Sequence, residues 1–231
     1  VYIGYSQSKS NPKYNPLDPD IKMKDALNMA GGKAERDSIK RLAQDLVTRK
    51  SINFTNVKVD RTSKDGKPKI YDPTNFSLTY SYSEMMKRSI NIEQNLDKNY
   101  RGLFSYNFNG RPEAFEPFKS SKVLSKNIFR MIRDFNIYPL PSQFSFRTDI
   151  WRHYNEIQLR NISNPNMIIP RTFNKDFMWN RYFDLRYNLT RSLEFDFSSE
   201  NTARIDEPEG RINRLDDDYA QKKDSIITNL L

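Results

Sequence analysis

The chain has 231 residues, no cysteine and a formal charge of +9. The absence of thiols excludes a disulfide scaffold and thiolate metal sites. A mean hydropathy of −0.84, with no apolar run near the ~20 residues of a membrane helix, excludes a helical membrane protein but not a barrel, whose inward residues dilute hydropathy. The positive charge is spread along the chain with no recognition motif, so it fits basic loops and a basic lumen better than a nucleic-acid site.

The first residues, Val1-Tyr2-Ile3-Gly4-Tyr5, read as mid-strand, as expected for a portion of a longer polypeptide. Residues 1–50 are expected to form a proline-punctuated loop plus an amphipathic helix over 33–47. On that helix Ile39, Leu42, Ala43 and Leu46 form one apolar stripe. Asp18 and Asp20 lack the remaining spacing of a calcium loop and read as a turn.

Residues 51–108 are expected to be strands. Phe76, Leu78, Tyr80 and Tyr82 alternate with Ser77, Thr79, Ser81 and Ser83, the period of a pleated strand with two unlike faces. After a loop at Met85-Met86, Ile90, Ile92 and Leu96 oppose Asn91, Glu93 and Asn95. Leu96 and Tyr100 share a face across Asp97-Lys98-Asn99, which predicts a three-residue turn, and Phe104, Tyr106 and Phe108 follow.

Residues 109–142 read as a long connection containing a short helix near 123–135 (Leu124, Ile128, Ile132, Phe135). Strands resume over 143–205. The apolar residues of the first change face near Ile150, from Phe144 and Phe146 to Trp151, Ile157 and Leu159, which predicts a bulge or an exit from an apolar layer there.

The clearest stretch is the hairpin 176–205. Phe177, Trp179, Arg181, Phe183, Leu185, Tyr187 and Leu189 alternate with Asp176, Met178, Asn180, Tyr182, Asp184, Arg186 and Asn188, leaving Arg181 the one charge on the apolar face, and Leu193, Phe195 and Phe197 alternate with polar residues on the return. Parity requires an odd turn, supplied by Thr190-Arg191-Ser192, and makes Tyr187–Phe195 and Leu185–Phe197 cross-strand pairs. Each limb keeps its pattern for about 13 residues against a usual 5–6. A membrane strand of ~9–11 residues with overhang fits, and so does a sheet with one face on a soluble core. Residues 206–231 read as a polar, acidic loop.

The alternation makes the fold class all-β, with seven or eight up-and-down strands and one or two short helices in loops, and of the two settings the expectation adopted is a transmembrane antiparallel barrel segment. Its lipid-facing residues would be Phe76, Leu78, Tyr80, Phe104, Tyr106, Phe183, Leu185, Tyr187, Phe195 and Phe197. Its lumen-facing residues would be Glu93, Arg101, Asp184, Arg186, Glu194, Asp196, Glu200 and Arg204. The turn at 190–192 and the helix are expected on the periplasmic side, with 97–99 and 206–231 outside. No catalytic constellation is legible: His153 is the lone histidine, and Glu194 and Asp196 share a face near Arg186. No cofactor or metal is expected.

Several literal stretches carry a resemblance. They are residues 49–57 (Arg-Lys-Ser-Ile-Asn-Phe-Thr-Asn-Val), 15–20 (Asn-Pro-Leu-Asp-Pro-Asp), 145–149 (Ser-Phe-Arg-Thr-Asp), 187–193 (Tyr-Asn-Leu-Thr-Arg-Ser-Leu) and 201–208 (Asn-Thr-Ala-Arg-Ile-Asp-Glu-Pro). They resemble the SprA/Sov family, the outer-membrane translocon of the type IX secretion system. That resemblance implies a very large single-chain β-barrel conducting folded cargo from the periplasm to the cell surface, of which this chain would be one portion. It implies as partners the rest of the barrel, a PorV-like shuttle barrel, a plug protein, further accessory subunits, secreted cargo proteins and lipids, with no nucleic acid. The alternatives are an ordinary outer-membrane porin or receptor barrel and, third, a soluble basic β-protein binding nucleic acid or glycan.

Overall fold

In the computed structural model the described residues are 1–60, 69–119, 132, 134–164 and 167–230. Alternation of large apolar and polar side chains produces long strands: β1 (Tyr2–Ser10), β4 (Asp45–Lys58), β5 (Phe76–Arg88), β6 (Ile92–Asn109), β7 (Gln143–Leu159), β8 (Thr172–Asn188) and β9 (Glu194–Arg204). They form one seven-stranded sheet in the order β1-β4-β5-β6-β7-β8-β9, every neighbouring pair antiparallel. The short strands β2 (Tyr14–Asn15) and β3 (Asp18–Lys22) pair separately within the first connection. The all-β class holds, but the sheet is open: β1 and β9 each have a single neighbour, so no barrel closes among the described residues.

The hairpin 176–205 has the expected register, with Tyr187 opposite Phe195 and Leu185 opposite Phe197. The Leu189 N–H donates to the Leu193 carbonyl (2.9 Å) across the 190–192 turn. The turn expected at 97–99 does not exist: β6 runs straight through it, and the reversal lies at Ser89 and Ile92, whose backbones bond each other. Met85-Met86 is likewise mid-strand in β5. The two expected strands on either side of 97–99 are one, which brings the meander to seven strands.

Losing that turn changes the parity of everything before it. The connections 11–44, 89–91 and 160–171 and the segment 205–231 all leave one end of the sheet, and the 190–192 turn leaves the other. The helix and 206–231 therefore share an end, contrary to the expected sidedness, which put the helix with the 190–192 turn.

That end carries α1 (Met23–Met29) and α2 (Lys33–Ala43), with Met23, Ala26, Ala30 and Ala43 buried. The helix expected over 33–47 stops at Ala43 because Gln44 turns extended and Leu46 enters β4 as a buried strand residue. β4 thus starts six residues before the expected boundary at 51. The expected polar loop 206–231 instead contains helix α3 (Tyr219–Leu230). The helix expected near 123–135 falls largely outside the described residues.

No bulge occurs at Ile150, which pairs in continuous register with Gly102 and Trp179. Register slips lie instead between Phe54 and Val57, where Asn56 has φ 49°, and between Ile92 and Gln94. The apolar pattern of β7 changes face because the environment changes. Above Ile150 the aromatic face becomes charged, while Trp151 stacks on His153 on the other face (6.2 Å, 10°).

Candidate functional site

The sheet's two faces differ sharply in chemistry. One is aromatic: Phe76–Tyr106–Phe144 and Phe104–Phe146–Phe183 form cross-strand ladders with ring centroids 4.8–6.4 Å apart. All ten residues expected to face lipid lie on it. Tyr106 is buried there, donating its hydroxyl to the Ile70 carbonyl (2.6 Å), but much of the face is bare. Leu78 is 49% exposed, Phe195 48% and Phe197 49%. Contiguous apolar surface of this extent marks an interaction surface rather than ordinary exterior.

Taken at the first polar or charged side chain of each strand, the border of the apolar band is an oblique line, past which Ile150 on β7 and Trp179 and Phe177 on β8 continue on the same face. That side chain is Ser199 on β9, Arg181 on β8, Thr148 on β7, Lys98 on β6, Glu84 on β5, Lys50 on β4 and Gln7 on β1. Through the ladders, Ser199 is level with Tyr106 and Gln7 with Leu96. The border therefore moves by ten residues of β6 over six strand steps. At about 3.3 Å per residue and 4.8 Å per strand this is a slant of roughly 50°. It is close to the 35–45° tilt of membrane barrel strands, for which a level apolar layer crosses the strands obliquely. Arg181 stands at the border with its guanidinium 4.3 Å over the Trp179 ring and bonded to Asn201 (2.7 Å).

The opposite face is polar and internally paired. Arg101 holds Asp149 (2.7 Å), Arg204 holds Asp176 (3.2 Å), and Asp184 accepts from Ser145 and Ser198 (both 3.0 Å). Arg186 lies between Asp196 (3.0 Å) and Glu194 (3.4 Å), so these two acids neutralise a cation instead of forming a free acid–base pair. Glu200 shares the face. Glu93, expected among them, sits at the Ile92/Gln94 slip, unpaired in the ladder, and reaches Arg160 (2.5 Å) and Arg41 of α2 (3.6 Å). His153 bonds Asp97 (2.9 Å), a satisfied polar-face residue. Among the described residues no acidic or histidine cluster is arranged to hold a metal.

Sequence reasoning missed a strap. Past β9, residues 205–213 fold back over the charged end of the aromatic face. Glu207 is bidentate to Arg152, Lys175 donates to the Pro208 and Gly210 carbonyls (2.6 and 2.5 Å), and Arg211 approaches Glu156 (3.8 Å). Glu156 also accepts from Tyr154 (2.8 Å) and Arg171 (2.5 Å) and is 1% exposed. The run Asp-Glu-Pro-Glu-Gly looks like any polar loop; the only signal was an unusual density of charge on β7 and β8 waiting for partners. At the other end Glu116 binds Lys119 and Arg191, which holds its carboxyl below the usual carboxylate range.

These features define a class: an all-β chain built on one open antiparallel sheet, aromatic on one face and charged on the other. Compared with known protein families and with curated proteins, the chain matches none.

Proposed function

We propose that this chain is a portion of the wall of a giant outer-membrane β-barrel translocon of the SprA/Sov type, its aromatic face against lipid and its charged face lining a water-filled channel for folded proteins. The oblique apolar border carries the membrane part of this reading. A core buried against a second protein layer has no reason to end along a line tilted across seven strands, whereas a bilayer requires it. The two unpaired edges support incorporation in a larger barrel, because free strand edges are not tolerated in hydrocarbon. The translocon part rests on the resemblance at residues 15–20, 49–57, 145–149, 187–193 and 201–208. The partners it brings are the remaining barrel strands, a PorV-like shuttle barrel, a plug protein, other accessory subunits and secreted cargo.

Lumen width tests it. In the full-length protein in outer membranes, Asp184→Cys is treated with a small maleimide and with one carrying a polymer the size of a small folded protein. A translocon lumen with its plug removed admits both. Modification by the small reagent alone would replace the translocon with an ordinary porin.

A further inference from the structure

The border of the apolar band is also a border of charge. On the same face Lys50 and Lys98 stand at that border, Arg152 lies four residues past Thr148 and Lys175 six past Arg181, and the strap adds Arg211. The acids among them are the least exposed: Glu156 and Glu207 show 1% of their side chains and Glu84 16%, against 53% for Lys50, 47% for Arg211, 29% for Lys98 and 26% for Arg152. The carboxylates thus lie behind and the cations in front. Lys98 is 3.8 Å from Glu84, at the limit of an ion pair, so its ammonium keeps donors to spare. Under the strap is a cavity of about 100 Å³ lined by Lys98, Tyr100, Arg152, Tyr154, Glu156 and Arg211. That is room for a group the size of a few waters. Tyr82 and Tyr100 (4.9 Å) stand between this rim and the apolar band, where aromatic side chains sit at a bilayer interface.

We propose that this rim, centred on the cavity beneath residues 207–213, binds the phosphate headgroups of anionic lipids. A phosphate satisfies the outward cations, and only a lipid also supplies acyl chains to the bare Leu78, Tyr80 and Ile150 directly below. The proposal rests on the membrane reading above and adds a lipid class and a site to it.

The test uses full-length protein in bilayer discs of mixed neutral phosphatidylcholine and anionic phosphatidylglycerol, with retained lipids counted by native mass spectrometry. The wild type is expected to keep phosphatidylglycerol preferentially. Lys98→Ala with Arg211→Ala should lower that preference about 30-fold, the loss of two cations near an anionic surface, with retention of neutral lipid unchanged. Lys98→Arg with Arg211→Lys should preserve it. Insertion without anionic preference, or a preference that survives the alanine pair, overturns the proposal and leaves the membrane reading standing. Displacement by inorganic phosphate alone at the lipid's concentration overturns lipid as the ligand. Failure to enter either bilayer overturns the membrane reading itself.

Discussion

Leu78 separates a sheet in lipid from a sheet in water. It sits mid-band on β5, between Val57 and Phe104, and is 49% exposed. In water, truncation to alanine costs about 1 kcal/mol, roughly half the transfer energy of a buried leucine. Arginine there costs no more, since its methylene stem covers the same surface while its head stays hydrated. In a bilayer the alanine change is similar, but arginine at the midplane adds about 2–4 kcal/mol. The gap between Leu78→Arg and Leu78→Ala is thus about 2–4 kcal/mol in one case and near zero in the other. It corresponds to a factor of about 30 to 1,000 in folded population. Guanidinium titration of the full-length protein folded into lipid vesicles reads the gap directly. A difference below about 0.5 kcal/mol, the scatter of ordinary surface substitutions, would refute the lipid-facing assignment.

Asn56 holds φ 49° at the β4 slip while its N–H donates to Thr79 Oγ1 (2.9 Å), so Asn56→Gly should be neutral and Asn56→Val should cost about 1–2 kcal/mol in the same titration. Glu207→Ala leaves Arg152 half-buried without its bidentate partner, a loss of about 3 kcal/mol, and hydrogen exchange at residues 205–213 should accelerate about a hundredfold while β6 is unchanged. The carboxyl of Glu116 titrates lower when folded than when unfolded, so its tie to Arg191 is fully present above the unfolded carboxylate value of roughly 4.3 and is lost as pH falls through the folded one. Exchange in residues 115–118 should therefore rise only in that acidic window; Arg191→Ala, which leaves the Lys119 contact in place, should produce a smaller rise at neutral pH.

The strands were legible because alternation is a local signal that the sheet obeys almost everywhere, and the parity of Leu189 and Leu193 fixed a turn before any partner strand was known. The same parity argument failed at 97–99. Asp97, Lys98 and Asn99 have turn chemistry, but inside a sheet each finds a partner that no local window shows. Asp97 meets His153, Asn99 donates to Asp97 (2.8 Å), and Lys98 faces Glu84 across the ladder. Two flanking strands outweigh the turn preference of three residues. The end of α2 was hidden for a similar reason: Leu46 continues the helical stripe by spacing, but it is captured by pairing with Arg88 and Lys9. Alternation could not show the one-residue slip at Glu93, nor its bond to Arg160.

The central claim is that the aromatic face lies against lipid along an oblique level. Spin labels placed singly along β5 and β8 of the full-length protein in native outer membranes, with collision rates to oxygen and to a water-soluble nickel chelate, test it most directly. The account predicts oxygen maxima at Leu78, Tyr80, Phe183 and Leu185 and chelate maxima at Thr79, Ser81, Asp184 and Arg186. It further predicts that the depth profile of β8 is offset from that of β5 by about five residues of register, the slant worked from the apolar border. Uniform chelate access on both faces, or two profiles in level register, would contradict it.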